Sequence, residues 1–300
     1  MKNLQITQIG ELPNERELSK DVEAGNIPIK YCYPGKGGDA WDKLRKEDKK
    51  RYSLGEREYK TLLQSLRGIY LSEPTNIIHI GPGNGVEIPL LSKALDLQMH
   101  RYVGVDISQR MLENTIRYQK DFFKSMKNPC FILADVEYRG TARSVNNFAK
   151  ETWHPKSLFV VAGQGVLCSN QSFLEYLKDA LDEDDLVLIT LEGDYTSKRS
   201  EIISTYDLSY VEQLLSIGLE RAGIINGKFL PASFNEASHC VEKHFESTHK
   251  DKIKCLSSYK PSSDRQFESV LTGAGLQPFW IQYFPEPHSY ATLCGRVNHV

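Results

Sequence analysis

The chain has 300 residues, 40% of them apolar, and a formal net charge of -2. That length suits one large domain, or one domain carrying a sizeable insertion, with enough apolar residues for a real core. A near-neutral balance with no strongly basic half argues against a nucleic-acid binder held by phosphate contacts. The locally basic run Lys43–Arg51 includes Glu47 and Asp48 and reads as a solvated helix face.

The first segment, Met1 to Asn26, is rich in Glu, Lys and Asn and lacks the apolar stretch of a signal peptide. No apolar run approaches the ~20 residues needed to span a bilayer. Six scattered cysteines, Cys32, Cys130, Cys168, Cys240, Cys255 and Cys294, form no CxxC pair. They read as reduced thiols, so a cytoplasmic location is expected. Next comes an aromatic, glycine-rich segment, Tyr31 to Asp42. It is either an ordinary loop with Trp41 in the core or a loop that closes over a ligand.

From Thr75 the pattern alternates strand and helix. Strands are expected at Ile77–Ile80, Tyr102–Val105, Phe131–Leu133, Leu158–Val161 and Leu186–Leu191. Helices are expected at Val86–Leu97, Gln109–Lys124, Thr141–Lys150 and Gln171–Leu181, with Asn84, Ser108 and Asn170 as N-caps. This alternation predicts a doubly wound α/β fold, a parallel sheet that binds its ligand at the carboxyl ends of the strands. The pattern breaks after Leu191. A helix is expected at Leu208–Ala222, then a polar region. The α/β pattern resumes near Ile253, with a helix at Asp264–Ala274 and a terminal hairpin of Pro278–Phe284 and Tyr290–Val297. The division expected is a cap from residues 1–72, a core from 73–192 and 250–300, and an inserted substrate domain from 193–249.

The strand ends gather the candidate site. Gly81-Pro-Gly-Asn-Gly85 follows a β-branched strand, and Gly81, Gly83 and Gly85 let the backbone approach a ligand. Dinucleotide sites prefer G-x-G-x-x-G, and here the third glycine comes one residue early. The turn resembles the first motif of class I S-adenosylmethionine (SAM) methyltransferases. Asp106 ends the next strand, where a carboxylate can accept a ribose diol. Asp135 ends the one after; it is an adenine partner or a helix cap. Gly163, Gln164 and Gly165 follow the fourth strand, where the resemblance puts the sulfonium. Methyl transfer is an in-line displacement that expels a neutral thioether, so it needs alignment and desolvation rather than an acid. His239, Cys240, His244, His249 and Cys255 match no zinc spacing, so no metal is expected. His79 reads as a satisfied core histidine.

Tyr33-Pro-Gly-Lys-Gly-Gly-Asp-Ala-Trp-Asp42 is similar to the F-Y-D-x-R-G-S-x-L-F-D segment of the histidine Nα-methyltransferase family, which includes ergothioneine-biosynthesis and dimethylallyltryptophan N-methyltransferases. The likeness continues in order through Tyr52 and Glu56-Arg-Glu58, Leu158 to Gly165, Tyr206-Asp207, Val241-Glu-Lys-His-Phe245 and Ser258-Tyr-Lys260. It implies a class I methyltransferase core with an α+β lid built from the N-terminus and the insertion. It implies SAM as cofactor, held by Gly81, Gly83, Gly85, Asp106, Ile107, Asp135, Val136, Gly163 and Gln164, with Tyr33, Lys36 and Gly37 at its methionine end. It implies substrate contacts at Tyr52, Val166, Tyr206, Lys243, Leu256 and Ser258, with Tyr33 and Tyr206 as the catalytic candidates. The family's asparagine anchor falls at Val166, its imidazole-binding glutamate at Leu256, and a methionine at Lys243. Each polar substrate group left without a partner would cost about 1–3 kcal/mol. The expected substrate is therefore a small-molecule amine, an amino acid or its derivative, less polar or bulkier than histidine. Lys243 faces solvent or reaches an acidic group on the ligand. Aminocarboxypropyl transfer, a non-catalytic SAM-binding protein and an NAD(P) oxidoreductase are the competing readings. The sequence leaves the oligomeric state open.

Overall fold

The computed structural model describes residues 4–47, 54–67, 69–97, 99–126, 128–163, 165–194, 199–248, 252–286 and 288–296, with backbone only at 44–47, 54–59 and 165–166. In chain order it forms β1 (Ile6–Gln8), α1 (Glu15–Glu23), a 3₁₀ turn at Ile29–Cys32, α2 (Lys36–Glu47), α3 (Leu54–Leu66), β2 (Asn76–Ile80), α4 (Ile88–Leu95), β3 (Arg101–Asp106), α5 (Gln109–Tyr118), α6 (Lys120–Ser125) and β4 (Cys130–Leu133). Then come α7 (Thr141–Thr152), β5 (Ser157–Ala162), α8 (Gly165–Cys168), α9 (Gln171–Ala180), β6 (Leu186–Glu192), α10 (Arg199–Ser204), a 3₁₀ turn at Thr205–Asp207 and α11 (Ser209–Arg221). The chain ends with β7 (Gly227–Phe229), β8 (Ser233–Asn235), β9 (Cys240–Ser247), β10 (Ile253–Tyr259), α12 (Asp264–Gly273), β11 (Leu276–Phe284) and β12 (Ser289–Arg296).

The central sheet has eight strands in the order β1-β4-β3-β2-β5-β6-β12-β11. The first six are parallel, and β12 runs antiparallel to both of its neighbours. Both faces are covered. Ile78, Val103, Ile132 and Phe159 pack on one side. Ile77, Tyr102, Phe131 and Leu158 pack on the other. Two buried faces explain why the strands read as unbroken apolar runs rather than alternating ones. Strand order reverses about β2, which lies between β3 and β5. A crevice therefore opens at the carboxyl ends of these strands.

A second, antiparallel sheet runs β10-β9-β7, with β8 also paired to β9. It forms one cluster with α1, the 3₁₀ turn and α11, including Leu18, Tyr31, Cys32, Leu215, Val241, Phe245 and Leu256. This cap sits over the crevice.

Three boundaries differ from the sequence expectation. Residues 253–259 pair with β9 in the cap sheet instead of resuming the core. β1 extends the central sheet beside β4, and Leu62 and Leu66 of α3 join the core cluster, so the N-terminal segment serves both units. The single helix expected at Gln109–Lys124 is two, α5 and α6, meeting at Gln119. Ser108 and Asn170 cap α5 and α9 as expected, their side chains accepting from Met111 and Ser172 N–H. Asn84 does not cap α4, whose first flanking residue is Glu87.

Candidate functional site

The β2–α4 turn forms the crevice floor. Gly81, Gly83 and Gly85 all have φ between 58° and 75°. At Gly85 a Cβ would lie 2.8 Å from both Gln119 Cγ and Ile88 Cδ1 at a φ of +75°, so a side chain here would strain the backbone and push those neighbours aside. Asn84 lines the crevice and donates from Nδ2 to Asp42 Oδ1 at 3.1 Å, while Tyr118 OH donates to Asp42 Oδ2 at 2.9 Å. Asp42 thus ties α2 to the turn. Trp41, one residue earlier, lies against Gly83; a Cβ there would be 3.4 Å from its indole nitrogen.

Asp106 ends β3 and is buried. Its Oδ1 accepts from Ser108 N–H at 2.9 Å. Burial pushes its pKa up to about 7, against the opposing effect of N–H groups from Ser108, Gly83 and Ile107. Asp135 follows β4 and is also buried; its Oδ1 accepts from Glu137 N–H at 2.9 Å. That bond forms a local turn and does not cap α7, which begins after Gly140. The other oxygen of Asp135 faces Lys30 Nζ of the cap at 3.4 Å. Burial raises the pKa of Glu137 as well.

One cleft joins these groups to the cap. Its lining includes Gly81, Gly83, Asp106, Ile107, Asp135, Val136 and Gly163 from the core, and Tyr33, Trp41, Tyr206, Leu256 and Ser258 from the cap side. Tyr33 meets Trp41 edge-on, ring centroids 5.8 Å apart, and its carbonyl accepts from Ser108 Oγ at 3.1 Å. Tyr206 OH donates to Ser258 Oγ at 3.3 Å. A buried carboxylate held by backbone N–H groups, a second acid one strand over and a side-chain-free turn suit a nucleoside with a polar tail.

Several candidates fall elsewhere. Lys36 and Gly37 begin α2 and do not line the cleft. A Cβ on Gly37 would lie 1.6 Å from the Cys32 carbonyl oxygen, so this glycine is needed for helix packing. Gly85 supports the turn from below and is also outside the lining. Lys243 neither faces solvent nor enters the cleft. It is 1% exposed and pairs with Asp207 at 2.6 Å and Glu212 at 2.8 Å. Tyr52 and Gln164 lie outside the described residues, as does the side chain of Val166.

The structure adds residues that the sequence reading did not name as site candidates, Trp41 and Lys260 having figured there only within motifs. Glu192 and Lys260 are both buried, both line the cleft, and form an ion pair at 2.7 Å. Lys30, Trp41 and Glu87 line it too. Lys260 closes the Ser258-Tyr-Lys260 motif, but nothing local in the sequence pairs it with Glu192: Glu192 ends β6 of the central sheet and Lys260 follows β10 of the cap sheet. His79 also lines the cleft; its Nδ1 lies 3.2 Å from Tyr102 OH, and burial pushes its pKa down to about 4. Among the described residues, no cluster of His, Cys, Asp or Glu could hold a metal, and no helix is long and apolar enough to cross a membrane.

The parallel sheet with its reversed terminal hairpin is the Rossmann-like fold of class I SAM-dependent methyltransferases. Residues 15–214 match the family described as histidine-specific methyltransferase, SAM-dependent, and the chain belongs to that family. Its cofactor is SAM. Among curated proteins, none matches the chain. Similar solved structures include a SAM-dependent methyltransferase from Clostridium acetobutylicum, at 9% identity over 81% of this chain and 92% of that chain, TM-score 0.44. Another is the 1,6-didemethyltoxoflavin-N1-methyltransferase of Burkholderia thailandensis, solved with 1,6-didemethyltoxoflavin and S-adenosylhomocysteine, at 12% identity over 96% and 93%, TM-score 0.44.

Proposed function

We propose that the enzyme methylates the nitrogen of a small-molecule amine, an amino acid or amino-acid-derived metabolite less polar or bulkier than histidine. One observation carries this reading. The cleft that holds Asp106 continues to a cap wall that carries the apolar Leu256, Val211 and Leu214 beside Tyr206, Ser258 and Lys260. Leu256 is buried and offers nothing to an imidazole.

When bound, SAM supplies a methyl group activated by its sulfonium charge. Asp106 would accept the ribose hydroxyls, Asp135 the adenine amino group, and Val136 and Ile107 would flank the ring. Tyr33 and Trp41 would cover the methionine end and exclude water. Tyr206 and Ser258 would orient the acceptor. The acceptor amine must be unprotonated to attack, so the rate should rise with pH until that amine is free in the complex.

Conversion of SAM to S-adenosylhomocysteine should be followed against a panel of amines and amino acids that includes free histidine. Product mass separates methyl transfer from aminocarboxypropyl transfer. Efficient trimethylation of histidine would refute the altered specificity.

A further inference from the structure

Five carboxylates line the cleft: Glu87, Asp106, Asp135, Glu137 and Glu192. Asp106 ends β3, and Asp135 and Glu137 follow β4, on the nucleoside side of the reversal at β2. Glu87 follows the glycine turn. Glu192 stands apart. It ends β6, on the far side of β5, paired in the sheet with Ser289 of β12 and met from the cap side by Lys260. The adjoining turn after β5 is fixed to the same strand, with Gly163 N–H donating to Thr190 O at 2.9 Å. Lys260, one residue past β10, reaches down to Glu192 at 2.7 Å, and its Nζ lies 5.5 Å from the Tyr206 ring centroid. A carboxyl buried alone would take up a proton. Lys260 opposes that. Although burial alone would lower its pKa, the charge of Glu192, with Tyr206 beside it, holds its ammonium above the ordinary lysine range.

We propose that Glu192, ion-paired with Lys260 in the cleft wall, is a catalytic residue that faces the reacting centre and receives the acceptor nitrogen. This rests on the SAM-dependent amine reading above. As the amine lone pair forms the N–C bond, the C–S bond breaks and its electron pair stays on sulfur. The positive charge moves from sulfur to nitrogen. A fixed carboxylate beside the nitrogen gains attraction as that happens, so it lowers the barrier rather than merely binding substrate. The methylated ammonium then gives up its proton to solvent or to Glu192. A pair serving only to join the two sheets would not need to line the cleft.

Sinefungin tests this without a known acceptor, because it carries an amine-bearing carbon in place of the sulfonium. Binding of sinefungin and S-adenosylhomocysteine should be measured by calorimetry for the wild type and Glu192→Gln. The wild type should prefer sinefungin by about tenfold or more, as expected for one charged hydrogen bond. Glu192→Gln should bind S-adenosylhomocysteine within about twofold of wild type and lose that preference. A wild type without the preference, or a Glu192→Gln variant that keeps both affinities, overturns the assignment. If Glu192→Gln fails to bind S-adenosylhomocysteine, Glu192→Asp decides: a reduced preference supports the role and an unchanged one overturns it. Failure of wild-type S-adenosylhomocysteine binding would instead strike the cofactor-site reading, and an inactive amine panel the substrate reading.

Discussion

Asp106→Asn separates what the protein gains from this carboxylate from what the carboxylate costs. Burial raises the Asp106 pKa from 3.8 to about 7. Roughly three units correspond to on the order of 4 kcal/mol. The sign follows from the direction. A carboxyl whose folded pKa is raised favours the folded state below its unfolded pKa, and that advantage is lost as pH rises through the folded value. The window is therefore about pH 4 to 7. Above it the ionised carboxylate destabilises the ligand-free protein. Asparagine removes the charge, offset by about 1–3 kcal/mol for any backbone N–H left facing the amide nitrogen. The variant should melt several degrees higher than wild type at pH 8, and the gap should shrink toward pH 4. Cofactor binding should move oppositely. Ribose hydroxyls bind the ionised form better, so wild-type affinity for S-adenosylhomocysteine should be about tenfold weaker at pH 6 than at pH 8. His79 does not titrate in that interval, since its pKa is pushed down to about 4. Asp106→Asn should bind about 30- to 150-fold more weakly at pH 8, from the loss of a charge-assisted acceptor worth 2–3 kcal/mol, with the pH dependence gone. Scanning calorimetry and titration calorimetry at both pH values read these effects. Wild-type affinity in the variant, together with a flat wild-type profile, would show that Asp106 does not hold the ribose.

Gly85→Ala forces a Cβ to 2.8 Å from Gln119 and Ile88 at a φ of +75°, and should cost about 1–3 kcal/mol by denaturant unfolding. Lys243→Met removes the cation between Asp207 and Glu212. Both acids are about a third exposed, so solvent screens them and the loss should be about 1–2 kcal/mol, below the figure for a fully buried pair. S-adenosylhomocysteine affinity should stay unchanged in Lys243→Met, because the lysine does not line the cleft; a tenfold fall would return it to the site. Trp41→Ala uncovers Gly83 and removes the edge contact to Tyr33, and should weaken S-adenosylhomocysteine binding by about tenfold.

The core was legible because its signals are local. Ile77, Ile78 and Ile80 make a buried strand in one short run, the glycines follow at once, and Asp106 closes the next strand. The cap was harder for a physical reason. β7 and β8 have three residues each, too few to show a period. Lys243 illustrates what was missed. It lies on β9 two residues from both Val241 and Phe245, and a strand puts residues two apart on one face. With Val241 and Phe245 buried, the period alone sends Lys243 inward. The same parity separates it from His244, which pairs weakly with Glu242 at 3.7 Å. Its counter-charges, Asp207 and Glu212, come from the preceding turn and helix, and sequence spacing could not supply them.

The same contrast governs how the two units work together. Lys30 meets Asp135, Ser108 meets the Tyr33 carbonyl, Asp42 holds Asn84, and Lys260 meets Glu192. Each pair joins an N-terminal or inserted residue to a strand end or turn of the core, and each lies in or beside the cleft. Every one is a polar contact between groups far apart in sequence. Apolar packing builds most of each unit, the core around its sheet and the cap around Tyr31, Leu215 and Phe245, while Cys240 and Tyr259 of the cap strands pack into the core cluster. The boundary between them is held in good part by charges and hydrogen bonds that a ligand's polar groups can join or exchange. Cofactor binding and cap seating should consequently stabilise each other, since a ligand bound to Asp106 and Asp135 also meets Tyr33, Trp41 and Lys30.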